Sequence, residues 1–184
     1  MVSKANHART YNNPVSRTNE IWAAKVLGME ENKGSGPDIL GEGKFAEVKF
    51  TLIHPKGNKG NYPRCWTVLE HQLEFADIWS GQGFWALELY EIDRPFRKIH
   101  TFDPEVIESF VVSRELYLVN WTWMYQFPPH RTKGKTDFTE WDQILRYPKE
   151  KDIPKIKRTY EVEKGLVHLT QGVPEYMFDV KINV

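Results

Sequence analysis

Cysteine is nearly missing from this sequence: Cys65 is the only one in 184 residues, so no internal disulfide can staple the fold. Net charge is missing too, because 25 Lys and Arg balance 25 Asp and Glu. A global basic field toward nucleic acid is therefore excluded, and charge must be read segment by segment. No apolar run is long enough to span a bilayer, and MVSKANHARTYNNP lacks the apolar stretch of a secretory signal. These absences predict a soluble, intracellular, cytoplasmic protein with no membrane partner. Aromatic residues, by contrast, are plentiful, with 7 Trp, 8 Tyr and 10 Phe, enough to build a core within a single domain spanning 1–184.

Charge is segregated along the chain. Lys49, Lys56, Lys59 and Arg64 lie in a stretch without an acid, whereas Glu70, Glu74, Asp77, Glu88 and Glu91 follow in one without Lys or Arg. A neutral chain built this way can still present a basic groove to phosphate; a solvated mixed surface is the plainer alternative.

Periodicity and turn chemistry divide the chain. NEIWAAKVL predicts an amphipathic helix starting near Ser16 or Thr18 and stopping at Gly28. DIL and KFAEVKFTL read as strands joined by Gly41-Glu42-Gly43-Lys44, RCWTVL as a third strand, EHQLEFADIW as a helix and FWALELYEI as a buried strand. Beyond Asp93, Asp103-Pro104 starts a short helix, RELYLVNWTWMYQF reads as a strand, FPPHRTKGKT as a basic loop, and TEWDQILRY as a helix. TYEVEKGLVHLT reads as a hairpin turning near Glu163-Lys164-Gly165. The expected class is α/β (α+β), with a core over about 16–92 and a C-terminal α/β elaboration over about 93–184.

The first hairpin carries the chemistry. A turn at Glu42-Gly43 pairs Gly41 with Lys44, Leu40 with Phe45, Ile39 with Ala46 and Asp38 with Glu47. Glu47, Lys49 and Thr51 then share one strand face, outward or in a cleft, while Ala46, Val48, Phe50 and Leu52 face a core. Opposed carboxylates about 5 Å apart repel by roughly 3 kcal/mol at an effective dielectric near 20. A hard divalent cation such as Mg²⁺, for which Mn²⁺ would substitute, offsets that, and Lys49 is placed to meet a phosphate oxygen or orient a water.

Gly36-Pro37-Asp38, eight intervening residues and Glu47-Val48-Lys49 resemble the PD-(D/E)xK motif of the restriction-endonuclease-like nucleases. The order helix, three strands, helix, strand over residues 16–92 is similar to that family's core, including archaeal Holliday-junction resolvases, and implies a mixed central sheet. The resemblance implies an endonuclease hydrolysing DNA phosphodiester bonds, with catalytic Asp38, Glu47 and Lys49. It further implies that Glu20 on the first helix and the Val48 carbonyl join the metal ligands, and that Gln72 joins the site. DNA is the implied partner, and a homodimer would cut both strands. A catalytically silent DNA-binding or assembly subunit with the same fold is the competing expectation.

Each residue also has a plainer explanation. Asp38 suits a turn after Gly-Pro, Glu47 and Lys49 a salt-bridged strand face, Glu20 a helix first turn, and Gln72 a helix surface. Lys56, Lys59, Arg64, Arg131, Lys133 and Lys135 are expected phosphate contacts or ordinary solvated cations. The histidines lack zinc spacing, Cys65 is expected as a small buried hydrophobe, and Trp121 and Trp123 suit either a core or base stacking.

Overall fold

The computed structural model describes residues 14–53, 64–94, 98–135 and 140–183, with the side chains of Lys135, Glu140 and Trp141 outside that description. Lys56 and Lys59 fall outside the described residues. The fold is mixed α/β, dominated by a central sheet with few helices.

The N-terminal helix, α1 (Pro14–Leu27), begins slightly earlier than its Ser and Thr caps suggested. It ends as expected at Gly28, whose φ of 65° lets the Met29 amide turn back to the Ala24 carbonyl at 2.9 Å. Short β1 (Glu30–Glu31) precedes β2 (Ile39–Gly41) and the longer β3 (Lys44–Leu52). The β2–β3 register is Gly41↔Lys44, Leu40↔Phe45, Ile39↔Ala46, and Gly43 supplies the turn with φ 66°.

Residues 64–79 depart most from expectation. RCWTVL yields only β4 (Val68–Leu69) and a bridge between Cys65 and Lys149, and Cys65 is half-buried. EHQLEFADIW forms two single turns, α2 (Glu70–Leu73) and α3 (Phe75–Ile78), in place of the one helix expected. The third strand therefore leaves the central sheet, and β3 pairs directly and in parallel with β5 (Gln82–Ile92).

After β5, the helix α4 (Pro104–Phe110) is capped by Asp103, whose Oδ1 accepts from the Glu105 amide at 2.9 Å. The strand expected from RELYLVNWTWMYQF is β6 (Val111–Asn120), and Trp121–Gln126 is a 3₁₀ turn instead. FPPHRTKGKT is not a loop but contains β7 (His130–Lys135), and TEWDQILRY is not a helix but contains β8 (Glu140–Arg146). These two pair as an antiparallel ribbon, which satisfies the backbone of a polar segment that would otherwise need water. The last hairpin, β9 (Ile156–Val162) and β10 (Gly165–Thr170), forms as expected, with Lys164 at φ 62° in its turn.

The central sheet has seven strands in the order β1-β2-β3-β5-β6-β10-β9, and β4-β8-β7 form a second sheet of three. Pairing is parallel at β3–β5 and β6–β10 and antiparallel elsewhere in the large sheet, so that sheet is mixed. On one face, Trp22, Ala23, Val26 and Leu27 of α1 pack on Ala46, Val48, Leu116 and Leu118. On the other, Phe45, Trp66, Val68, Trp85 and Trp121 form a second core, with the Trp85 and Trp121 rings stacked at 4.1 Å. Trp121 is thus a core residue. No described helix is long and apolar enough to cross a membrane.

Candidate active site at the Asp38–Glu47 edge

β2 stops at Ile39 because Pro37, the residue that would face Val48, has no amide to donate. The Asp38 side chain takes over: its Oδ2 accepts from the Val48 amide at 2.8 Å. Asp38 is thus held at the open end of the hairpin, beside Glu47. The loop that delivers it is closed by Asn32, whose amide donates to the Asp38 carbonyl at 2.8 Å and whose side chain donates to the Pro37 carbonyl at 2.9 Å. Gly36 sits at φ 108°, where a Cβ would lie 2.4 Å from the Trp79 ring. Only glycine lets that indole pack against the loop.

Alternation along β3 places Phe45, Glu47 and Lys49 on the second-core face. The charged pair does not project into an open cleft, contrary to one expectation. Glu47 is 3% exposed, on the face that carries Phe45, Trp66 and Trp85, and its polar partners there are Lys49 and Gln72. Its Oε1 accepts from Lys49 Nζ at 3.0 Å and from Gln72 Nε2 at 2.6 Å, while Gln72 Oε1 accepts from the Leu69 amide at 3.0 Å. Gln72 is therefore buried against the site rather than on a helix surface. Glu47 Oε2 is buried without a hydrogen-bond partner.

The electrostatics are those of crowded acids. Burial, followed by the charge of Glu47, pushes the Asp38 carboxyl well above its ordinary range, and burial likewise raises Glu47 despite the attraction of Lys49. Glu20, reaching from α1, is raised to about 8 by burial and then by Asp38. Burial alone would favour a neutral Lys49 amine, but Glu47, Asp38 and Glu20 together outweigh it and raise its pKa. Glu47, Lys49 and Gln72 are joined through hydrogen bonds, and Asp38, held by the Val48 amide, and Glu20 join them through their fields. Val48 contributes its amide to Asp38; because one residue's amide and carbonyl face the same strand edge, its carbonyl faces that edge too.

Among the described residues no group of three or more His, Cys, Asp or Glu stands in ready metal-binding geometry. What would suit a hard cation there is the unpartnered Glu47 Oε2 with the Asp38 carboxyl beside it, an oxygen donor set of the kind such ions take.

Two groups near the site escaped the sequence. His71, next to Gln72, is exposed, and its pKa is lowered by partial burial and by the charge of Lys49. Behind α1, Arg114 Nε binds Glu88 Oε1 at 2.8 Å and Asn19 Oδ1 at 3.3 Å, with Glu108 Oε1 at 2.6 Å from its NH1. Burial raises Glu88 to about 8. A glutamate inside the apolar run FWALELYEI was the available signal, since a charge buried there demands a partner.

Of the expected phosphate contacts among the described residues, Arg64 is paired with Glu150 at 3.2 Å, whereas Arg131 and Lys133 lie exposed on β7. Comparison with known proteins gave no match to a family model, a curated protein or a solved structure.

Proposed function

We propose that this chain is a divalent-metal-dependent endonuclease of the restriction-endonuclease-like type, hydrolysing DNA phosphodiester bonds. The observation that carries the reading is the convergence of Asp38, Glu47 and Lys49 at one hairpin end, with a buried Glu47 oxygen lacking a protein partner. A bound Mg²⁺ or Mn²⁺ would lower the pKa of an attacking water and stabilise charge on the departing oxygen. Asp38 and Glu47 would hold it, with Glu20 and the Val48 carbonyl as the next nearest oxygen donors. Lys49, kept protonated by the acids around it, would orient the water or neutralise a phosphate oxygen. Gln72 fixes the Glu47 carboxylate while also tying α2 to the site. A homodimer would bring two such sites to opposite strands.

The burial of Glu47 favours a second reading, a DNA-binding or assembly subunit without turnover. Incubation with supercoiled plasmid, linear DNA and a four-way junction, in Mg²⁺, Mn²⁺ or EDTA, separates the two. Cleavage that needs the metal and disappears in Asp38→Ala and Lys49→Ala supports the nuclease. Cleavage that persists in Asp38→Ala removes that residue from the mechanism, and DNA binding without cleavage of any substrate favours the subunit.

A further inference from the structure

The β7–β8 ribbon is a polar feature that the candidate site does not use. β4 pairs only with Leu145 and Arg146, so among the described residues β7 and β8 from residue 144 outward pair with no third strand. Its base is fixed to the site. Arg146 binds Glu70 through two bonds of 2.9 and 3.1 Å, and its NH1 donates to the carbonyls of Tyr125 and Phe127 at 3.2 and 2.8 Å. Glu70 opens the same helical turn, α2, that carries Gln72 to Glu47.

Register assigns the two faces. Arg131 is opposite Ile144 and Lys133 is opposite Asp142, so Arg131, Lys133 and Asp142 share one face, and all three are exposed. Thr132 and Gln143, opposite each other on the reverse face, are half-buried. Among the described residues, neither Arg131 nor Lys133 forms an ion pair.

The acid discriminates between two uses of this face. Beside a phosphate track Asp142 would be repulsive. In the major groove of B-form DNA, a carboxylate accepts from cytosine N4, while Arg and Lys donate to guanine O6 and N7. Residues two apart on a strand are spaced by about 6.6 Å, close to two base-pair steps, and that groove admits a two-stranded ribbon. The deep, narrow major groove of duplex RNA does not.

We propose that the exposed β7–β8 face enters the major groove of duplex DNA and reads G·C base pairs through Arg131, Lys133 and Asp142. This deepens the nuclease reading on which it rests, by assigning target selection to the ribbon.

The test is selection of binding sites from a randomised duplex DNA pool by the full chain in EDTA, with Lys133→Ala and Asp142→Asn alongside. Matched single-stranded DNA and duplex RNA serve as competitors. The wild type is expected to enrich a short motif containing G·C pairs. Each variant should lose discrimination at one pair by about five- to hundredfold, the range for one good base contact. Asp142→Asn should at the same time bind unselected DNA more tightly, since a repulsive charge is gone. An unenriched pool, enrichment unchanged in both variants, or duplex RNA competing as well as DNA would overturn the proposal. Because no metal or cleavage enters the assay, the two readings fail separately. Selective binding without nuclease activity sinks the nuclease and leaves the ribbon; cleavage by a protein that enriches no motif does the reverse.

Discussion

Asp38→Asn should stabilise the metal-free protein while abolishing cleavage. An amide at this position can still accept from the Val48 N–H that Asp38 Oδ2 now holds at 2.8 Å, and its NH₂ can donate to the unpartnered Glu47 Oε2. What disappears is the charge conflict. Carboxylates about 5 Å apart at an effective dielectric near 20 repel by roughly 3 kcal/mol, part of which Lys49 offsets, so the gain should be about 1–3 kcal/mol. For a chain of this size that is roughly 2–12 °C in Tm. The sign with pH follows from proton uptake. Asp38 and Glu20 have folded pKa values raised above their ordinary 3.8 and 4.5, Glu20 to about 8, so the native state holds protons that the unfolded chain has released. Their contribution to stability is present below the ordinary values and is lost as pH rises toward 8. The variant's advantage should therefore be small near the ordinary values, grow toward about pH 8, and shrink when Mg²⁺ stabilises the wild type. Thermal unfolding in EDTA across this range measures it. A variant less stable than wild type at the alkaline end, or a gain independent of pH, would show that Asp38 and Glu47 are not in electrostatic conflict.

Gln72→Leu should cost about 1–3 kcal/mol in urea unfolding, because it leaves the Leu69 amide without its acceptor and removes one of the two donors to buried Glu47 Oε1, and should lower metal-dependent cleavage. Arg114→Met should cost about 3–5 kcal/mol by leaving Glu88 buried without its cation, and Arg114→Met with Glu88→Leu should recover most of that loss. Gly36→Ala combines a positive φ of 108° with a clash at the Trp79 ring; it should cost at least about 1–3 kcal/mol and lower activity through the loop carrying Asp38, read by the same unfolding and cleavage assays.

The hairpin was legible because its determinants are local: two glycines at the turn, alternation from Ala46 to Leu52, and a proline that ends the ladder beside Asp38. That Gln72 would join the site came only through the resemblance, since a single helical turn is placed by packing across the sheet rather than by its own periodicity. The same cause explains residues 70–79, where helical spacing in sequence became two separate turns. The C-terminal half misled for a different reason. His130–Lys135 is basic enough to read as a loop, and Glu140–Arg146 has a helix-like composition. Each becomes a strand only by pairing with the other, a contact that local propensity does not encode. Glu88 and Arg114 could each be seen as charges in apolar strands, but their partnership depends on the β5–β6 register.

The account stands on Asp38 and Glu47 gripping a divalent cation, and Mn²⁺ binding followed by electron paramagnetic resonance reads this without reference to any substrate. Saturable binding that is abolished in Glu47→Gln and weakened in Asp38→Asn, both folded by circular dichroism, is the predicted result. Wild-type protein that leaves Mn²⁺ free, or binding equally tight in both variants, would contradict it.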